Sequence, residues 1–384
     1  MHILILALHW PLAPTGVCRH AANLAKCLAE TDAVNKVTLV IGEWQTHYFE
    51  TSFDLSASKI KLFSVAIRNT SLSRNTWFLW GLPKLVNSLK PDVVHMSFPF
   101  PFFRQSFKSA VVSTIHDLYP YECPENFGYP RVWFNQFFLR QCIHNSDALS
   151  CVSKQTLESL KHYFPNIDLH KKTDVAYNYV DFSHINSMIP EKMDFAENST
   201  FILCVAQHRK NKNLDLLIKS YALLLEKAAL EASTKLLIVG SSGPETENIL
   251  HLIQTLNLQK QVILLSSIKD ENLCWLYKKC RLFVIPSSTE GFCIPLVEAL
   301  FFTCRVVCSD IPIFREVGSS KCNYFDLSNE PVANLAKAIS SALSKPIPSQ
   351  QYTDLRFSKK NVAQQLLHFY ASGLESSFRP VLST

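Results

Sequence analysis

Two carboxylates border one strand-to-helix turn. Glu290 and Glu298 are separated by seven residues in Phe283-Val284-Ile285-Pro286-Ser287-Ser288-Thr289-Glu290-Gly291-Phe292-Cys293-Ile294-Pro295-Leu296-Val297-Glu298-Ala299-Leu300. The apolar start reads as a strand that ends at Pro286. Pro295 suits the start of a helix, where its missing N–H costs least. One carboxylate therefore falls in a loop and the other in the first turn or so of a helix. Loop N–H groups and a helix N-terminus form an anion site. A carboxylate next to phosphate would repel it, so its natural partners are sugar and ribose hydroxyls.

Other residues gather at strand ends. Gln207-His208-Arg209-Lys210-Asn211-Lys212-Asn213 follows the apolar run Phe201–Ala206. Cations there can neutralise a leaving diphosphate. His116-Asp117 closes the run Ala110–Ile115, and His95 ends another strand, where it reads as a core residue. Pro14-Thr15-Gly16-Val17-Cys18-Arg19-His20 is a strand-to-helix turn. Gly240-Ser241-Ser242-Gly243-Pro244-Glu245 also follows a strand but lacks P-loop or dinucleotide-fingerprint spacing.

These residues need a scaffold of strands and helices. Strands are expected at Ile3–Leu8, Lys36–Ile41, Lys59–Val65, Asp92–Ser97, Ala110–His116, Ala148–Ser153 and Asp174–Asn178. Most are continuous apolar runs, the mark of parallel strands covered on both faces. Helices are expected at Cys18–Glu30, Arg131–Asn145 and Ser153–Phe164. After the polar stretch Phe182–Ser199 the pattern restarts. Strands follow at Phe201–Ala206, Lys235–Gly240, Gln261–Ser266, Leu282–Pro286 and Arg305–Ser309. Helices lie between them at Leu214–Ala229, Glu245–Leu256, Glu271–Cys280, Ile294–Phe302 and Val332–Ser344. The alternation predicts an α/β fold of two doubly wound parallel sheets facing a cleft. The domains are expected at 1–182 and 199–358, with a linker at 183–198. A helix over about 359–375 closes the second domain or crosses back to the first.

The chain has 384 residues, 47% apolar and 18% charged. That composition excludes a disordered chain and leaves room for two cores. No apolar run reaches the ~18 residues of a membrane span, and Met1–Leu8 reads as a buried strand, not a signal peptide. The twelve Cys have no metal-ligand spacing, so reduced thiols in a cytoplasmic protein are expected. The net charge of +6 suits anionic nucleotide donors or an acidic membrane surface. Nucleic acid is not expected, because no long basic run occurs.

The Glu290–Glu298 segment resembles the Glu-x7-Glu motif of glycosyltransferase family 4, the retaining GT-B enzymes of the group 1 class. Thr303-Cys304-Arg305-Val306-Val307-Cys308-Ser309-Asp310-Ile311-Pro312, Phe314-Arg315-Glu316-Val317, Phe201–Asp215, Pro91-Asp92-Val93-Val94-His95 and Ile115-His116-Asp117 extend it over nearly the whole chain in order. The resemblance implies a GT-B fold with an acceptor-side N-terminal domain and a C-terminal domain that binds the nucleotide sugar. It implies that Glu290 binds the donor sugar's hydroxyls and Glu298 the ribose. Backbone around Gly291, Phe292, Cys293, Ile294 and Leu296, with Gly240, would approach the sugar and diphosphate. Lys212 would neutralise the diphosphate. The Arg that accompanies it in the family falls on Gln207, so Arg209 is expected to supply that charge. His116 would contact the donor sugar and Gly16 the donor phosphate, with Arg19 and His20 toward the acceptor. Asn178-Tyr179-Val180-Asp181 stands where the family has Asn-Gly-Val-Asp, and Tyr179 would be strained if φ there were positive.

The implied reaction is retaining transfer of a sugar from a UDP- or GDP-linked donor to a glycan or lipid-linked acceptor. No metal and no cofactor beyond the nucleotide sugar is implied. A nucleotide-sugar 2-epimerase is the alternative enzyme, with Asp117 and Glu122 as its acid–base candidates. A non-catalytic sugar-nucleotide binder is the other. The aromatic stretches Phe98–Phe103, Trp77–Trp80 and Val132–Phe138 suggest peripheral contact with the cytoplasmic membrane.

Overall fold

The computed structural model describes residues 1–190, 200–266, 268–345 and 354–377. The chain divides into two units, Met1–Tyr179 with Leu355–Thr384, and Val180–Asp354.

Unit 1 holds seven parallel strands. They are β1 (His2–Leu6), β2 (Lys36–Gly42), β3 (Ile60–Val65), β4 (Val93–Met96), β5 (Ala110–Ile115), β6 (Ala148–Cys151) and β7 (Lys172–Val175), in the order β3-β2-β1-β4-β5-β6-β7. β1, β4, β5 and β6 are almost wholly buried, which is why they read as unbroken apolar runs. Helix α1 (Gly16–Ala29) is capped by Thr15 and buries Ala21, Ala22 and Ala25. These small side chains allow a close approach to the sheet. Helix α2 (Arg131–Asn145) buries Val132, Leu139, Cys142 and Ile143.

Unit 2 repeats the topology. Its strands are β8 (Phe201–Val205), β9 (Lys235–Val239), β10 (Val262–Leu265), β11 (Leu282–Ile285), β12 (Val306–Ser309) and β13 (Cys322–Phe325), ordered β10-β9-β8-β11-β12-β13. β13 is not among the strands expected from the sequence. It is an edge strand carrying Asn323 and Tyr324, only half-buried until Phe325, so neither an apolar run nor clean alternation marks it. Helices α3 (Leu214–Glu226), α4 (Ile294–Phe301) and α5 (Pro331–Leu343) flank the sheet. α3 and α5 bury Leu217, Tyr221, Leu335 and Ile339 in one core.

Both sheets reverse strand order beside their first strand, between β1 and β4 and between β8 and β11. At such a switch point the flanking loops diverge and leave a crevice outside the strands' carboxyl ends.

Three segments settle differently from, or beyond, the sequence reading. The expected linker at 183–198 begins as part of unit 2. Phe182 packs on Phe301 and Phe302, and Met188 bonds Glu271 and Asn272 through its backbone. Residues 191–198 lie outside the described residues. Helix α6 (Lys359–Ser377) crosses back to unit 1 and buries Val362, Leu366, Phe369 and Tyr370 there. Lys359 Nζ donates to Glu30 Oε1 at 2.6 Å. Tyr179 keeps a negative φ, so its replacement of Gly carries no strain.

The twelve cysteines are free thiols. Among the described residues no helix is long and apolar enough to cross a membrane. Of the aromatic stretches, Phe78, Phe100 and Phe102 are core residues, although Trp80 and Phe103 are exposed.

Candidate active site

In unit 2 the switch point lies between β8 and β11, and the two chemistry-bearing segments leave those strands. They are stitched together. Asn213 Nδ2 donates to the Pro286 carbonyl at 2.9 Å, and Asn211 Nδ2 to the Thr289 carbonyl at 3.0 Å. Ser288 N–H returns a bond to the Asn211 carbonyl at 2.9 Å. Asn213 has φ 48°, a left-handed turn that Asn tolerates, and from it α3 starts.

This stitching sets Lys212 against Glu290. Lys212 Nζ donates to Glu290 Oε1 at 2.5 Å, and Ser287 Oγ donates to the same oxygen at 2.8 Å. The side chains are 19% and 9% exposed. Burial works against the ammonium's charge. The Glu290 carboxylate, helped by Cys293, outweighs it and raises the Lys212 pKa. An ammonium has three donors, so one bond to Glu290 leaves others for an anion.

α4 begins beside this pair. Cys293 takes φ 67° to turn the chain, and Pro295 sits in the first turn. Glu298 falls one turn deeper than expected and is only 3% exposed. Tyr277 donates its hydroxyl to Glu298 Oε2 at 2.8 Å. Burial, and then Glu298 itself, push the Tyr277 pKa well up, so it remains a donor. Tyr277, Ser287, Asn211 and Asn213 position the two carboxylates and escaped the sequence analysis. No linear spacing ties Tyr277 to Glu298, or Asn211 and Asn213 to the carbonyls of Thr289 and Pro286.

Several expected contact residues serve other ends. Leu296 is fully buried and its N–H bonds the Cys293 carbonyl at 3.0 Å, so it is core support and not a donor contact. Phe292 is also buried, whereas Gly291 and Ile294 are half-buried. Gly240 lets two strand ends meet: a Cβ there would stand 1.9 Å from the Ala206 carbonyl oxygen. Its role is to let the 240–243 loop lie on 206–208, where His208 N–H bonds the Ser241 carbonyl at 3.2 Å. Gly240→Ala is expected to destabilise unit 2 by about 1–3 kcal/mol. Gly16 is exposed and a Cβ there meets nothing within 4 Å, so Gly16→Ala should leave the melting midpoint unchanged. Calorimetry of the two variants checks the contrast. Gln207 is half-buried, and Arg209 is exposed with its N–H on the Gln207 carbonyl at 2.7 Å.

In unit 1, His116 leaves β5 and donates from Nε2 to the carbonyl of Ser97, the residue just after β4, at 2.8 Å. That bond leaves Nδ1 as the acceptor. Burial holds the ring's pKa below the usual imidazole range, against the pull of the Ser97 carbonyl and Asp117. His20 packs edge-on against His116, with ring centroids 4.7 Å apart. It was expected to face an acceptor. It is instead 3% exposed, with both nitrogens engaged. His20 Nδ1 donates to Asn178 Oδ1 at 2.6 Å. One direction of donation then satisfies every group in the chain behind it. Thr114 donates to His20 Nε2 at 3.3 Å, His95 Nε2 to Thr114 Oγ1 at 2.7 Å, and Tyr370 to His95 Nδ1 at 2.6 Å. His95 is thus a core residue, but a polar-linked one. Arg19 is half-buried, with its guanidinium 5.7 Å from the Phe53 ring centre. Glu122 accepts from Ser159 Oγ at 2.7 Å, and Asp117 is exposed.

Comparison with known proteins adds to this geometry. A family model described as "Glycosyl transferases group 1" matches residues 187–360, and one described as "Glycosyltransferase Family 4" matches residues 14–184. The chain is 29% identical over 323 residues to an O-antigen chain mannosyltransferase of Salmonella typhimurium, covering 82% of this chain and 84% of that one. It is 35% identical over 176 residues to an N-acetylgalactosaminyltransferase of Campylobacter jejuni, whose named acceptor is a diphospho-undecaprenol-linked glycan. That match covers 46% of this chain and 45% of the relative, less than half its length. Sucrose-phosphate synthase from Thermosynechococcus elongatus shares the fold, with a TM-score of 0.66 at 18% identity over 97% of this chain and 96% of that one.

Proposed function

Because the chain belongs to the family 4 glycosyltransferases of the group 1 class, a GT-B family, we propose that it transfers a hexosyl residue with retention of configuration. The donor is a UDP- or GDP-linked sugar and the acceptor is a hydroxyl on a glycan or lipid-linked glycan. The observation that carries this reading is the Lys212–Glu290 pair on the carboxyl edge of β8 and β11, beside the start of α4. An acceptor oxygen for sugar hydroxyls and a cation for the diphosphate lie within one hydrogen bond of each other.

In the transfer, the bond from the sugar's anomeric carbon to the diphosphate breaks. A bond to the acceptor oxygen forms on the same face, and the acceptor's proton passes to the leaving phosphate oxygen. Lys212 and the α4 N-terminus meet the charge that develops on the diphosphate. Glu290 orients the sugar and Glu298, steadied by Tyr277, the ribose. Neutral His116 offers Nδ1 to a sugar hydroxyl. Lys212 and the helix end supply the positive charge, so the scheme calls for no metal. The relatives' names, an O-antigen chain mannosyltransferase and a transferase acting on a diphospho-undecaprenol-linked glycan, favour bacterial polysaccharide or glycolipid assembly. The place we propose for it is the cytoplasmic face of a membrane, with peripheral contact.

A donor screen tests this. UDP, GDP, ADP and their sugars are added at about 100 times Kd, where binding stabilises by about 2.7 kcal/mol. One nucleotide should raise the melting midpoint, and Glu298→Ala should abolish the rise. Product analysis by NMR should then show transfer with retained configuration. No shift with any nucleotide would sink the reading, and a free epimerised sugar nucleotide would favour the epimerase.

A further inference from the structure

Helix α2 is apolar on both faces. Its inner face is spent on the core through Val132, Leu139, Cys142 and Ile143. Its outer face shows Trp133, Phe134 and Phe137 at 63%, 59% and 62% exposure, preceded by Tyr129 at 76%. Tyr129 packs on Trp133 with ring centres 5.2 Å apart. Side chains at 133, 134 and 137 share one helical face. Such a cluster on a soluble fold marks an interaction surface. Its charge selects the occupant. Arg131 and Arg140 are exposed on the same helix, and no Asp or Glu occurs between Glu125 and Asp147.

We propose that this face of α2 docks the enzyme onto an anionic lipid bilayer, with the aromatic rings at headgroup depth and the two arginines on lipid phosphates. Aromatic side chains with basic neighbours are the pattern of an interfacial helix, and each arginine near such a surface adds attraction that salt weakens. A protein partner would need opposing acidic groups, whereas an anionic leaflet supplies them everywhere. The inference deepens the lipid-linked-acceptor reading by naming where the enzyme meets the membrane.

The test is co-sedimentation with phosphatidylglycerol/phosphatidylcholine vesicles at low and high salt. The full-length protein should sediment with the anionic vesicles, and not with phosphatidylcholine alone. Phe134→Ser/Phe137→Ser should weaken binding at least about tenfold, since each ring loses part of its burial free energy. Arg131→Glu/Arg140→Glu should weaken it with the apolar face intact, a second route if the serine variant misfolds. Trp133→Phe should keep binding while lowering fluorescence quenching by brominated lipid. Failure of the native protein to sediment overturns the proposal, as does undiminished binding by both double variants. So does a native dimer that Phe134→Ser/Phe137→Ser turns into monomer, because a second copy then covers the face. Transfer to a soluble acceptor, read in parallel, reports on the enzymatic reading separately.

Discussion

Lys212→Met should lower kcat by about 10²–10³-fold, the usual loss when one preorganised group facing transition-state charge is removed. Met keeps most of the apolar stem and deletes the ammonium. Glu290 then retains Ser287 as a donor but loses its counter-charge, at 9% side-chain exposure. Removing one partner of a fully buried pair costs about 3–5 kcal/mol, and this pair is partly wetted, so a smaller loss of stability is expected. Lys212→Met/Glu290→Gln should recover that stability without recovering turnover. The double-mutant cycle therefore separates the structural coupling from the catalytic one. Arg209→Ala, at an exposed position, should cost less, about tenfold. Initial rates with the donor found in the screen decide the matter. A Lys212→Met enzyme with near-native kcat would mean that this cation does not meet the leaving group. An Arg209→Ala enzyme unchanged in turnover and nucleotide affinity would remove Arg209 from the site.

Unit 1 should lose stability steeply between pH 7 and pH 5. Burial lowers the His95 pKa to about 3, and burial, with His116 next in weight, holds His20 well below its ordinary value. The unfolded chain takes up these protons near pH 6.5 and the folded chain does not. Below that pH the unfolded state binds more protons, so stability falls with falling pH and is fully present only above it. At pH 5 His95 alone accounts for about 2 kcal/mol, and His20 adds in the same direction. The hydrogen-bond chain from Tyr370 to Asn178 gives the structural reason, because each neutral ring already has one nitrogen donating and one accepting. Calorimetry at pH 7 and pH 5 reads the effect, and His95→Gln should flatten the dependence. A melting midpoint for unit 1 that stays level over this interval would show that the buried rings take up protons without cost.

Much of the molecule was legible before any coordinates. Parallel strands covered on both faces must be apolar throughout, so β1, β4, β8 and β11 announced themselves as runs. Their restart after Ser199 announced a second sheet. Pro295 marked the start of α4, because Pro is tolerated in a helix's first turn. Glu290 and Glu298 stood out because they border a strand end and a helix start, where a doubly wound sheet presents its loops, whereas Lys212 was singled out only by the family resemblance. What the sequence withheld depends on through-space distance. Nothing linear tells that Lys212 bonds Glu290, that Tyr277 holds Glu298, or that Tyr370 reaches His95 from a helix that could have closed either domain. Burial also reassigned residues: His20 and Leu296 looked available from their positions but are enclosed, and the Ala206 carbonyl leaves no room for a Cβ at Gly240. Local spacing and periodicity determine which elements form and which ends carry chemistry. Packing alone decides which polar atoms meet, because that follows from how strand ends and helices approach in three dimensions.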